Sequence, residues 1–450
     1  MCLINNILIN LATLLTQPKL NVLSQICKSI LCSSGKITML EISRYTNKSY
    51  RTIQRFFKLK FNWLLLNFRL FSAFIYSKDD VFLLACDETV EKKAGKHTNG
   101  VAHFFSNLHK SVVPSVAFMN MGIISLNRKK CYPLATQQVI KPLKENTTET
   151  QSKAKNKKGD ENSQCAKKPI GRPKGSKNKP KEVSKDIQYS VLDSLLKLVT
   201  TMLISTFGSL PCTYLLLDGY FGNQHYMRLA IGYKLHLISK LKSTASLYLP
   251  FSGLYKGHGR PPKYGEKIRT TNIAAKYLVN TVQEENYQYR FYQFTAWSES
   301  YIDAMLNVVI ISCKNNKTGE TSNCVLFSTD LTLSHDKIVE YYRLRFQIEF
   351  NFRDAKQYFG LADFKNYKAE QVTTAVNLSF FMCNFSYILI EHFKERFALE
   401  TVSILDLKAF YRTENIANEV LKLKIKPKKT LQFFNPDQIF ELAKKQAVNF

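Results

Sequence analysis

The chain has 450 residues, of which 45% are apolar and 22% charged. Those are globular proportions with length for several structural units, and they exclude a disordered chain, a collagen-like repeat and a disulfide-stapled miniprotein. Lys and Arg number 64 against 35 Asp and Glu, a net charge of +29, which points to a polyanion as partner and favours nucleic acid over a membrane surface.

Residues 1–77 read as helical, with Leu3, Ile7, Leu11, Leu14 and Leu15 recurring near the helical period. The opening MCLINNILINLATLL has no basic stretch before its apolar residues, so no secretory signal is expected. The most apolar stretch, 61–76, is interrupted by Asn62, Asn67 and Arg69, short of the ~20 clean residues a membrane span needs. A cytoplasmic protein is expected. The ten cysteines are scattered without a Cys-x-x-Cys pair and the histidines form no cluster, which favours reduced thiols and argues against structural zinc. Within the helical segment, 37–45 and 49–57 form two short helices about Thr46-Asn47-Lys48, with Ser49 placed to cap the second. Ile53, Phe56 and Phe57 face inward, leaving Arg51 and Arg55 on the outer face, where a helix-turn-helix meets DNA. An ordinary helical hairpin with solvated arginines fits the same pattern.

From residue 81 the pattern turns to strands. The apolar run 81–86 suits a strand buried on both faces and stops at Asp87. Residues 112–125 and 130–139 follow as strands joined by a turn. Residues 141–185 lose most large apolar side chains and carry 14 Lys/Arg against 5 Asp/Glu, a net +9, the composition of a disordered basic insertion. A helix over 186–207, a strand over 212–217 ending on Asp218, a helix over 224–231 and a strand over 234–239 make a βαβ-like unit. Residues 244–333 are strand-rich, at 277–282, 287–297, 306–313 and 324–329, and read as an inserted β subdomain. The remainder is helical, over 336–359, 370–397 and 405–422.

Two buried strands thus end on aspartates, at the sheet edge where α/β proteins bind ligands. A lone strand-end aspartate is commonly only a cap. A third carboxylate would complete a set of hard oxygen ligands for Mg²⁺, and the helix 336–359 offers one. At about 100° per residue, Tyr342, Arg345, Glu349 and Lys356 share a narrow sector, away from apolar Leu344, Ile348 and Phe359. An aromatic, two cations and a carboxylate make a poor core face and a good wall for a metal site that meets phosphates. A solvated helix with an Arg345–Glu349 pair is the plainer alternative.

At these residues the chain resembles the DDE transposases of bacterial insertion sequences, in the insertion sequence four superfamily. That group's signature, Tyr-x2-Arg-x3-Glu-x6-Lys, is matched at every place by Tyr342, Arg345, Glu349 and Lys356. Asp87, in LLACDETVEKKAGK, and Asp218, in YLLLDGYFGN, match its two aspartates, and each of the intervals from Asp87 to Asp218 to Glu349 is 131 residues. The resemblance, over about residues 35–400, implies an α/β chain with a ribonuclease H-like catalytic core. Its division would be a helical DNA-binding domain at 1–77, the core at 78–243 and 334–400, the β insertion at 244–333 and a helical region at 401–450.

The same resemblance implies Asp87, Asp218 and Glu349 as ligands of two Mg²⁺ ions, for which Mn²⁺ would substitute. It implies Tyr342, Arg345 and Lys356 as contacts to double-stranded transposon-end DNA, paired by a homodimer. Two metal ions suit both strand cleavage and strand transfer without a covalent nucleophile. Arg172 and Arg260, each in a Gly-Arg-Pro run, resemble minor-groove arms or are simply basic loops. Trp297 lies in the insertion, where this family stacks an aromatic on a flipped base, though a core tryptophan would look the same. The function implied is cut-and-paste DNA transposition, and the alternative is a catalytically idle, transposase-derived DNA-binding regulator.

Overall fold

The structure, a computed structural model, describes residues 3–106, 110–142, 187–255 and 262–424 and positions 257, 259, 260, 437, 439 and 440. The basic insertion therefore lies, apart from its first two residues, outside the described residues. Five helices come first: α1 (Leu3–Leu8), α2 (Gln17–Cys32), α3 (Met39–Arg44), α4 (Tyr50–Phe57) and α5 (Trp63–Phe74). Ser49 caps α4 through the Thr52 amide, as its type and place predict, and Ile53, Phe56 and Phe57 are buried beneath it.

The sheet begins with β1 (Phe82–Lys92), β2 (Ala102–Ser106), β3 (Ser111–Ser125) and β4 (Lys130–Val139), continues after α6 (Ile187–Phe207) with β5 (Cys212–Leu217), and after α7 (Gln224–Gly232) with β6 (His236–Leu241). The strand-rich segment supplies β7 (Leu247–Pro250), β8 (Tyr264–Ile268), β9 (Leu278–Gln283), β10 (Tyr287–Ser298), β11 (Tyr301–Asn315) and β12 (Thr321–Ser328). The chain continues with α8 (His335–Arg345), α9 (Gln347–Tyr358), α10 (Ala369–Phe397) and α11 (Ile404–Lys424).

All twelve strands of the described residues join one mixed sheet. Its core order is β4-β3-β1-β5-β6, with β3 antiparallel to both neighbours and β1, β5 and β6 mutually parallel. The three parallel strands with an antiparallel extension on one side form the α/β core expected from the sequence. The strand-rich insertion continues the same sheet, because β12 pairs with β6 and carries β11 and β10 beyond it. Helix α10 is buried almost along its length, and with α5 and α9 it packs on β4. Helices α6 and α10 are long and apolar enough to cross a membrane by composition alone, but α10 is the central core helix here and α6 lies against β4. The N-terminal helices share this core. Trp63 meets Phe381 of α10 with ring centroids 5.9 Å apart, and the Lys408 ammonium of α11 donates to the Ile30 carbonyl of α2 at 2.9 Å.

Two expectations need correction. The first strand does not stop at Asp87 but runs on to Lys92, its polar half held by antiparallel pairing with β3 out to Lys92↔Ser115. The single helix expected over 336–359 is broken into α8 and α9 at Phe346, whose amide turns back to the Arg343 carbonyl three residues earlier.

Candidate active site

The site is built where the parallel pairing of β1 and β5 ends. Cys86 pairs with Leu217, the last residue of β5, so Asp87 and Asp218 take the next positions on adjacent strands, where backbones lie only ~4.8 Å apart. Each aspartate anchors one oxygen on a backbone amide: Asp87 Oδ1 accepts from Glu88 N–H at 2.8 Å, and Asp218 Oδ1 accepts from Gly219 N–H at 2.7 Å, opening a short 3₁₀ turn. The capping role read as the plain alternative for Asp218 is thus real and uses one of its oxygens.

The helices α8 and α9 supply the opposite wall. Arg345, the last residue of α8, is buried and donates from Nη1 to Asp87 Oδ2 at 3.1 Å and from Nη2 to Glu349 Oε1 at 2.9 Å. One guanidinium therefore spans the strand carboxylate and the helix carboxylate, and the break at Phe346 does not separate the pair. The half-buried Tyr342 ring lies beside it, 5.6 Å from the guanidinium carbon. Lys356 stands two turns farther along α9 and pairs with Glu91 on β1, Nζ to Oε1, at 2.6 Å.

Glu91 is the site residue the sequence reading missed. Alternation along an extended strand puts Asp87, Thr89 and Glu91 on one face, and once β1 is known to reach Lys92 this period-two signal is visible. Glu91 is buried and pairs with that cation.

Charge crowding at the site is physical, not merely topological. Burial pushes the Asp87 carboxyl up to about 6; the Glu88 amide and Arg345 pull it down, while Asp218 and Glu349 add to the rise. Asp87 therefore feels both other carboxylates as well as the cation between them. Burial also pushes the Tyr342 hydroxyl up to about 12, so this tyrosine is a neutral neighbour at ordinary pH.

Three carboxylates are the donor chemistry of a hard divalent cation, and the Arg345 guanidinium already stands in for a cation between two of them. By chemistry the residues fit such an ion. In the arrangement seen, no three His, Cys, Asp or Glu side chains among the described residues stand close enough together to hold one, and Arg345 engages one oxygen each of Asp87 and Glu349.

The other predicted residues lie on other elements. Arg51 and Arg55 are exposed on α4, on the face opposite its buried residues. Trp297 is on β10, half-buried rather than in the core, with Lys263 Nζ 3.6 Å over its ring. Arg260 is exposed between β7 and β8. Arg172 lies outside the described residues.

Residues 10–300 match the family model described as DDE superfamily endonuclease. The match spans more than half of the chain, including Asp87 and Asp218 but ending before α8, and the chain belongs to that family. Among solved structures it is similar to a piggyBac transposase synaptic complex with hairpin DNA determined by cryo-EM, at 9% identity and a TM-score of 0.39 over 94% of this chain and 74% of that one, a likeness too slight to assign residues. No curated protein matches the sequence.

Proposed function

We propose that this DDE superfamily endonuclease is a transposase of the insertion sequence four type, which binds inverted-repeat DNA ends as a homodimer, cuts at those ends and joins them to target DNA. The observation that carries the reading is the Arg345 bridge between Asp87 and Glu349, with Asp218 at the adjacent strand end, a constellation drawn from three distant parts of the chain and containing two of the four Tyr-Arg-Glu-Lys residues. Asp87, Asp218 and Glu349 would hold the Mg²⁺ ions. When bound, such ions supply activation of a water or 3′-hydroxyl and stabilisation of the leaving oxygen.

The protein's own groups position the DNA. Arg345 has a planar fork that matches a phosphate as well as a carboxylate, and Tyr342 is neutral and beside it, suited to a phosphate or sugar contact. Lys356 offers a point charge at the far end of the site, with Glu91 fixing its direction. Arg51 and Arg55 are exposed where a recognition helix would read a groove, and Arg260 lies on a basic loop of the insertion. Trp297 offers a face for base stacking, typically worth ~1–3 kcal/mol, once Lys263 leaves its ring.

The test uses purified full-length chain, Mg²⁺ and linear duplexes carrying the DNA that flanks its coding region. Nicks at the junction between an inverted repeat and flanking DNA, lost on a scrambled repeat, are expected. DNA binding without any Mg²⁺-dependent cleavage would favour the idle regulator instead.

A further inference from the structure

The bridge made by Arg345 has a consequence for how the site is filled. Its two nitrogens sit on Asp87 Oδ2 and Glu349 Oε1, while Asp87 Oδ1 and Asp218 Oδ1 are committed to backbone amides. The oxygens it holds, one on Asp87 and one on Glu349, are among those an incoming cation would use. Two positive charges cannot share that position in a buried setting, where mutual repulsion is strong.

The guanidinium is also only partly satisfied: its Nε is buried without a hydrogen-bond partner. A buried, unpaired donor of this kind is costly, and a ligand that accepts from it would be favoured. A phosphate is such a ligand, since its oxygens can accept two parallel N–H bonds from one guanidinium edge, whereas Asp87 and Glu349 now accept one each.

We propose that Arg345 is the resident counter-cation of Asp87 and Glu349, that divalent metal and Arg345 compete for these carboxylates, and that the metal site opens when DNA draws Arg345 onto a backbone phosphate. This rests on reading the three carboxylates as a metal site. It makes Arg345 a positioning residue that couples metal loading to DNA, and it keeps the nuclease unloaded when no DNA is bound. Because binding coupling is reciprocal, metal tightens DNA by the same factor that DNA tightens metal. Arg343, exposed on the same helix, has no such role.

The experiment measures Mn²⁺ binding to the full chain by calorimetry and by the loss of the free-ion electron spin resonance signal, with and without a duplex of random sequence. Wild type should bind Mn²⁺ about tenfold or more tightly with the duplex than without it, within the range typical of such coupling. Arg345→Gln should bind without DNA as tightly as wild type does with DNA, and the duplex should add little further. Arg343→Gln should behave as wild type.

Removing Arg345 leaves uncompensated carboxylates, so Arg345→Lys, which keeps a charge on a shorter and less planar group, serves as a folded comparison with intermediate coupling. A melting temperature that rises at lower Mn²⁺ concentrations in Arg345→Gln than in DNA-free wild type is the corresponding stability readout. Equal Mn²⁺ affinity in wild type and Arg345→Gln, abolished in both by Asp87→Asn, would overturn the competition while leaving the metal site standing. Failure of every form to bind Mn²⁺, with DNA or without it, would overturn the site reading and the proposal together.

Discussion

Helix α9 carries Glu349 and Lys356, and its rear face is fixed by a buried polar cluster whose strength can be measured at one atom. The Tyr387 hydroxyl of α10 lies 2.7 Å from Asp354 Oδ2 and 3.1 Å from Asn351 Oδ1, both on α9, and all three residues are buried. Its single proton goes to the charged acceptor. Tyr387→Phe removes that oxygen and little else, since the ring keeps its packing and its contact with the Lys130 ammonium, 3.7 Å from the centroid.

A hydrogen bond to a charged group is worth about 1.5–3 kcal/mol. Asp354 keeps Arg353 on its other oxygen, at 3.0 Å, and is buried, so a loss near the upper end, about 2–3 kcal/mol, is expected. Denaturant titration followed by circular dichroism, with hydrogen exchange across α9 and α10, measures it. Pairing the change with Asp354→Asn in a double-mutant cycle isolates the contact, and a coupling above about 1 kcal/mol is expected. A Tyr387→Phe chain as stable as wild type, within about 0.5 kcal/mol, would refute the claim that this cluster holds α9 in place.

Burial pulls the Lys408 and Lys93 ammonium groups down to about 8. A lysine harder to protonate when folded than when unfolded lowers stability while both states are charged, and that penalty fades as pH rises from the folded value toward the unfolded one; melting temperature should therefore rise between about pH 8 and pH 10, and Lys408→Met should flatten part of the rise. Gly360 ends α9 at φ +82°, and an added Cβ would lie 2.6 Å from Ile37 Cβ, so Gly360→Ala should lower stability by about 2–3 kcal/mol in the same titration. Deleting residues 143–185 should weaken DNA binding with a shallower salt dependence, read by fluorescence anisotropy across a salt series.

Strands made of large apolar residues were legible because burial itself sets their limits: Lys130–Val139 and Cys212–Leu217 stand where their composition puts them. Asp218 likewise follows the last residue of its strand, whereas Asp87 lies inside β1 and the helix carrying Glu349 is one of two. What stayed hidden depends on partners distant in sequence. The second half of β1, Glu88 to Lys92, is too polar to announce a strand, and its Glu91 is buried only because Lys356 comes to meet it. Strands β2, β7 and β8 are four or five residues long, too short for a period to emerge. The break at Phe346 has no proline or glycine to signal it. Even the role of Arg345 was half visible: its pairing with Glu349 follows from helix spacing, whereas its reach to Asp87, 258 residues away in sequence, follows only from the fold.

The most direct test of the central claim, that Asp87, Asp218 and Glu349 act as one site, is Mg²⁺-dependent nicking of end DNA by three amide variants. Asp87→Asn, Asp218→Asn and Glu349→Gln keep shape and remove charge. Each should retain DNA binding while losing nicking by several orders of magnitude, and pairs of them should lose no more than single variants, as expected of groups that work as a unit. Lys356→Ala should instead weaken end binding with a milder effect on cleavage. Nicking at close to the wild-type rate by any one amide variant would remove that residue from the site and contradict the account.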